Sequence, residues 1–298
     1  MLFVRKDRQP SNALNNLISY QARVQGAKGK RYRLKKTPKQ RPPTAQQREY
    51  YWSLQEMTDE LASLVAKVFS SQALQAFVRS ATTLRPDAAR KDDFIDDLGR
   101  TINQVKTVFY QKWSDEKIQA MAEKAAKDTN AFNKKQFDKT MKQVVGVNVT
   151  AGDPWLNQEV KAFTAQNVEL IKSIPDEHFK KLQRTIIQDV TTGKLPDDMI
   201  EDIQKIADVS DSKAKLIARD QTAKFNGTLN ELRQKDVGIE EYEWSTSGDV
   251  RVRPEHEDRD GKTFRWDDPP EDGHPGIPIN CRCVAIPIFT PPPEPEEA

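Results

Sequence analysis

Cysteine is almost missing from this chain of 298 residues: there are two, Cys281 and Cys283, one residue apart. Two thiols so placed are poor disulfide partners, because their Cβ atoms point apart or the ring is strained. A disulfide framework is therefore excluded, and a reduced, cytosolic origin is expected. Histidine is also scarce, with His178, His256 and His274 making up the whole set. No run of about 18 apolar residues occurs, so nothing spans a membrane. The opening "MLFVRKDRQPSNAL" has no apolar stretch or cleavage site behind its charges, which predicts a protein made and used without secretion. Glycine-rich phosphate or dinucleotide loops, a Gly-x-Ser-x-Gly elbow, a Cys-His nucleophile pair with helical support and internal repeats are all absent. What remains is 34.0 kDa of chain, enough to bury a sizeable core and to form two domains.

Charge is present but unevenly spread. The net charge is +2, yet residues 1–50 hold 13 Lys and Arg against two acids, and residues 239–298 hold six basic and 15 acidic residues. The segment from Gly26 to Pro43, "GAKGKRYRLKKTPKQRPP", has no helical apolar stripe and reads as a flexible basic extension. Lys28, Lys30, Arg31, Arg33, Lys35, Lys36, Lys39 and Arg41 are its candidate DNA contacts, through phosphates and counterion release. A solvated tail that only keeps the protein soluble is the competing reading, and Tyr32 is the one aromatic available for base stacking.

From Thr44 the chain turns helical, with no proline between Pro43 and Pro86 and no glycine until Gly99. Leu54, Met57, Leu61, Leu64, Val65 and Val68 recur at steps of three and four on one helix face, and Ile95, Leu98, Ile102, Val105, Val108 and Phe109 repeat the pattern. Ser114 with Asp115 and Glu116 supplies an N-cap and first-turn acids for a third helix reaching toward Gly146. After the break "GVNVTAGDPW", helices are expected at 154–171, 175–190, 196–207 and 210–235, with glycines just past two of the ends.

Beyond Gly238 the periodicity changes to two. Glu240 to Thr246 reads as a strand, Asp260-Gly261 as a tight turn, and "CVAIPIF" as a strand that Pro287 confines to a sheet edge. Arg251 and Arg253 alternate with Val250 and Val252, which on a strand would put both guanidinium groups on one face, to pair with Asp249 or Glu255 or to bind an acidic partner. The expected fold is α+β, mostly α-helical in its N-terminal and central parts with a small C-terminal β-rich region. Its expected divisions are a basic arm at 1–43, a helical domain at 44–150, a third region at 151–290 and a Pro-rich acidic tail at 291–298.

The β-rich region gathers His256, His274, Cys281 and Cys283, the ligand set of a closed tetrahedral structural zinc site. Cys-x-Cys is shorter than the common spacing, and both thiols serve one metal more easily if the chain turns at Asn280 to Arg282. The alternative reading has two small buried hydrophobes and two histidines bonded to the loop backbone. Two catalytic readings compete: His256 and Asp258 with the later cysteine pair are loosely like a zinc deaminase's His-x-Glu and Pro-Cys-x-x-Cys, and a zinc-dependent nuclease or other metal hydrolase acting on nucleic acid could draw on Asp249, Asp258 and Asp260; four candidate ligands argue instead for a filled shell.

An ordered series of residues resembles the phage Mu protein F-like family of minor head or head morphogenesis proteins. It runs from Ala218-Arg219-Asp220-Gln221-Thr222 through a Gly238 turn, Trp244, Asp249, Arg251-Val252-Arg253, His256, Asp260-Gly261 and His274-Pro275 to Asn280-Cys281-Arg282-Cys283. With "DPWLNQEVKAFTAQNVELIKSIPDEHF" as lead-in, the resemblance covers about residues 150–290. It implies a non-enzymatic component present at a few copies inside the capsid of a virion assembled in bacterial cytoplasm, near the portal protein and contacting double-stranded DNA. Scaffolding or major capsid protein are further implied partners, no membrane is involved, and the work implied is head assembly and genome packaging, retention or ejection. The family's histidines and cysteines fall on His256, His274, Cys281 and Cys283, while Arg219, Trp244, Asp249, Arg251, Arg253, Asp260, Gly261, Asn280 and Arg282 fall on its structural positions. One departure is the stretch Gly276 to Ile279, which separates His274-Pro275 from Asn280-Cys281 where the family more often runs them together.

Overall fold

A computed structural model describes residues 37–82, 88–146 and 153–289. Along the chain come α1 (Thr44–Val68), α2 (Ser71–Thr82), α3 (Ala88–Lys112), α4 (Asp115–Val144), α5 (Leu156–Thr191) and α6 (Pro196–Asp236). They are followed by β1 (Glu241–Ser245), the short α7 (Pro254–Glu257), β2 (Thr263–Arg265) and β3 (Val284–Pro287). The expected α+β class, mostly helical with a small sheet at the C-terminal end, is what the chain adopts. No single helix among the described residues is long and apolar enough to cross a membrane.

Contacts gather the described residues into two compact units that interleave along the sequence. One consists of Arg48–Lys124 and Thr164–Ala218, and its core follows the sequence pattern except at Val68 and Val108, which are exposed at 36% and 50%. Leu54, Met57, Leu61 and Val65 of α1 and Leu98, Ile102, Val105 and Phe109 of α3 are buried at steps of three and four. Each such side chain contributes about 1.5–3 kcal/mol by leaving water. Phe109 meets Phe179 of α5 edge-on at 6.2 Å between ring centroids. Ser114 caps α4, its Oγ accepting the Lys117 N–H at 3.4 Å.

Two expected helix breaks do not occur. Pro175 stands inside α5 and Ser210 inside α6, and both helices run through. Pro175 removes one N–H from the ladder, and nearby the Ser173 hydroxyl donates to the Leu170 carbonyl at 2.6 Å. Ser210 turns its hydroxyl back onto the Ile206 carbonyl at 3.1 Å, the in-helix alternative to capping a new one.

The other unit takes in the described residues up to Gln47, Ala125–Phe163 and those from Arg219 onward. Here the second half of α6 is held by α4: Asn133 Nδ2 donates to Asn226 Oδ1 at 3.0 Å and to Asn230 Oδ1 at 2.7 Å. The buried Arg233 reaches Asp153 at 2.8 Å. The flexible extension was expected to run to Pro43, but residues 37–43 are held in place. Gln40 is buried with Nε2 donating to Thr140 Oγ1 at 2.7 Å, and the Arg41 backbone exchanges hydrogen bonds of 2.9 Å with the Gln136 amide.

The sheet has the order β2-β1-β3, antiparallel throughout. Tyr242 and Trp244 of the central strand are fully buried while Glu243 between them is exposed, the period-two pattern of a sheet with one wet face. Pro287 lies on the edge strand β3, as its missing N–H requires.

Candidate metal centre

The cysteines follow a loop that α6 holds in place. Asp220, on that helix, accepts the Asn280 backbone N–H on Oδ1 at 3.2 Å and binds Lys224 through Oδ2 at 2.6 Å. Asn280 takes a left-handed φ of 58°, which turns the chain immediately before Cys281, and the Cys281 N–H bonds the Pro278 carbonyl at 3.0 Å. Regular strand begins only at Val284, so the turn expected to let Cys-x-Cys converge is present. Arg282, between the two cysteines, clamps both carboxylate oxygens of Asp249, with Nη2 2.6 Å from Oδ1. That guanidinium holds the Asp249 carboxyl well below the usual carboxylate range.

Three of the four expected ligands come together. His256 on α7 turns Nδ1 toward Cys283 Sγ at 3.5 Å and Cys281 Sγ at 3.7 Å, and the three atoms all lie within 4.8 Å of one another. All three residues are buried, at 2%, 3% and 6% exposure for His256, Cys281 and Cys283. His274 is not in the cluster: its Nδ1 pairs with the Tyr242 hydroxyl at 2.9 Å, and its ring packs against Trp266 at 4.8 Å. Burial, and then the charge of Lys235, push its pKa down to about 4, against a backbone hydrogen bond involving Trp266, so His274 is a neutral core residue at physiological pH.

The cluster is prepared for negative sulfur. The Gly276 and Cys283 backbone N–H groups both approach Cys281 Sγ at 3.4 Å. The Cys281 thiol is lowered, first by the hydrogen bond from Cys283 and then by these two N–H groups, against its burial. Cys283 moves the other way, raised by donating that bond and by burial, with the Trp244 indole opposing. The Trp244 Nε1–H is buried and outside hydrogen-bond geometry with any group, and the sulfur it acts on is that of Cys283; it is a donor suited to a thiolate there. A tetrahedral ion with bonds of about 2.0–2.1 Å to nitrogen and 2.3 Å to sulfur needs nitrogen and sulfur about 3.6 Å apart, and the observed 3.5 and 3.7 Å bracket that value. Imidazole with two thiols is a borderline-to-soft donor set, so these three residues fit a metal of that class.

Several neighbours complete the knot. Trp244 stacks edge-on against His256 at 5.1 Å, and Arg259 lies 5.0 Å over the Trp244 ring. Asp260 Oδ1 accepts the Thr246 N–H at 2.6 Å and its hydroxyl at 3.0 Å, and Gly261 takes φ 74° in the turn that follows. Arg251 and Arg253 are not on a strand. The backbone turns here so that Asp249 accepts the Arg251 N–H at 3.0 Å, and Arg253 Nη2 donates to the Ile279 carbonyl at 2.6 Å. Arg219 is half-buried on α6, its carbonyl accepting from Gln47 Nε2 at 3.5 Å.

With that geometry in place, residues 180–286 match the family model described as Phage Mu protein F like protein. This segment belongs to the Mu F-like family. It begins within α5, ends within β3, and contains all three converging residues of the centre. An uncharacterized protein of Haemophilus influenzae is 37% identical over 164 residues, which cover 54% of this chain and 37% of that protein. The chain thus spans little more than a third of the curated relative's length. No solved structure matches the chain.

The Mu F-like segment also holds residues that sequence reasoning did not single out. Asp272 contacts His256, and Gly227 and Gly276 let α6 and the loop touch. The glycine inside an otherwise helical stretch was the available signal for the second; nothing in the sequence marks Asp272 among its acidic neighbours. Of the expected DNA contacts, Lys39 and Arg41 are exposed, while Lys28, Lys30, Arg31, Arg33, Lys35 and Lys36 lie outside the described residues.

Proposed function

We propose that this chain is a minor head protein of a tailed phage, residing inside the capsid near the portal and acting in head assembly and in genome packaging, retention or ejection. The match of residues 180–286 to the Mu F-like family carries this reading. Its C-terminal knot is a structural module in which His256, Cys281 and Cys283 hold a zinc ion. When bound, the metal supplies stability to a small sheet with little core of its own. With His274 paired to Tyr242 the four-ligand shell expected from the sequence is not assembled, and it is the burial of the three converging residues that favours a structural role over hydrolysis, which needs a site open to water and substrate.

The basic N-terminal stretch contributes sequence-independent contact with double-stranded DNA through residues 28–41, and the helical parts dock on the portal. The test is a supercoiled-plasmid mobility shift over a salt series, with and without zinc or magnesium, alongside co-purification with the portal protein of the same phage. A shift that weakens steeply with salt and is lost in a chain starting at Thr44, together with portal capture, supports the proposal. Nicking abolished by His256→Ala would make the protein a metal hydrolase instead.

A further inference from the structure

We infer that Asp272, clamped by Arg259, is the positioning residue that makes His256 an Nδ1 ligand; this rests on the metal reading above. His256 Nε2 lies 2.8 Å from Asp272 Oδ2, on the side of the ring opposite the sulfurs. A carboxylate only accepts hydrogen bonds, so the single ring proton of a neutral imidazole sits on Nε2. That leaves the Nδ1 lone pair facing Cys283 Sγ at 3.5 Å and Cys281 Sγ at 3.7 Å.

The carboxylate is itself fixed. Arg259 Nη1 takes its other oxygen, Oδ1, and the same guanidinium covers the Trp244 ring that packs on His256. Gly273, at φ 99°, turns the chain directly after Asp272, so carboxylate and imidazole face each other across 16 residues of sequence. Without Asp272 the proton is free to move to Nδ1 and donate to a sulfur, which occupies the very lone pair a metal needs. A carboxylate behind a ligating imidazole also raises its basicity, and losing such a partner typically weakens metal binding about 10–100-fold.

The test has two independent readouts on the full chain. Long-range proton–nitrogen correlation spectra of metal-free, histidine-labelled protein report the His256 tautomer directly, and the wild type is expected to carry Nε2–H. Titration with Co2+, followed by its thiolate charge-transfer absorption and by chelator competition, reports affinity. Asp272→Ala should bind about 10–100-fold more weakly, and Asp272→Asn, which keeps an acceptor oxygen, should lose less. An Nδ1–H tautomer in the wild type overturns the inference whatever the variants do. Wild-type protein that takes up Co2+ while Asp272→Ala binds as tightly overturns it alone; wild-type protein that takes up neither Co2+ nor Zn2+ overturns the metal reading with it.

Discussion

Gly227 of α6 and Gly276 of the loop leading to the cysteines meet backbone against backbone. A β-carbon placed on Gly227 would lie 2.7 Å from the Pro275 carbonyl oxygen, and one on Gly276 would lie 2.8 Å from the Ala223 carbonyl oxygen. The helix that carries Ala218-Arg219-Asp220-Gln221-Thr222 is thus the wall against which the loop leading to the cysteines is shaped.

Gly227→Ala should therefore push the loop off the helix and cost about 1–3 kcal/mol, as overpacking does. Gly99→Ala on α3 is the matched control: a β-carbon there meets nothing within 4 Å, and the change should stabilise by about 0.5–1 kcal/mol through helix propensity. Urea denaturation of both variants checks the difference in sign. A Gly227→Ala protein as stable as the Gly99→Ala one would show that the loop yields freely.

Asn280 is the one described non-glycine residue with positive φ. Asn280→Gly should leave stability and Co2+ uptake intact, because glycine adopts that conformation without strain. Asn280→Val should cost about 1–2 kcal/mol or more and blur the thiolate charge-transfer spectrum. Equal melting temperatures for the two variants would contradict the strain argument.

Metal removal should destabilise the knot by mass action. At zinc a thousandfold above its Kd the bound ion stabilises the fold by about 4 kcal/mol, so a chelator should lower the melting temperature of the wild type. Cys281→Ser or Cys283→Ser should abolish that difference, whereas His274→Gln should keep it, because His274 pairs with Tyr242 and not with the sulfurs. Differential scanning calorimetry with and without chelator is the measurement.

His178 sets a pH dependence of its own. Its Nδ1 lies 2.9 Å from Ser210 Oγ, and because that hydroxyl donates to Ile206 the ring must donate here, leaving buried Nε2 without a partner. Burial pushes its pKa down to about 4 from an ordinary 6.5. Above the unfolded value both states are neutral and stability is complete. Between roughly pH 6.5 and 4 the unfolded chain binds a proton that the folded one refuses, so stability falls by up to about 3 kcal/mol as the medium acidifies. Urea melts at pH 7 and 4.5 should show that loss shrinking in His178→Phe; an unchanged slope would mean the ring is solvated.

The helical unit was largely readable, because apolar steps of three and four name the buried face whatever it packs against. Leu54, Met57, Leu61 and Val65 are where the pattern puts them. Pro175 and Ser210 misled because a helix tolerates one missing N–H or one inward hydroxyl when packing on both sides holds it. In the knot, Cys281, Cys283 and His256 could be nominated from their scarcity and their crowding into one short region. His274 could be nominated by the same logic, and only the fold separates it.

Residue order alone settled the helical character of residues 44–82 and 88–144, the period-two strand at Tyr242 and Trp244, the edge placement of Pro287 and the Mu F-like motif, since each depends on local periodicity or on one residue's covalent limits. Tertiary structure decided which side chains face one another across the chain. It gave His256 to the sulfurs and to Asp272, gave His274 to Tyr242, and closed the loop on α6 at two glycines. Spacing in sequence cannot make those choices, because a turn of one left-handed residue redirects every side chain after it.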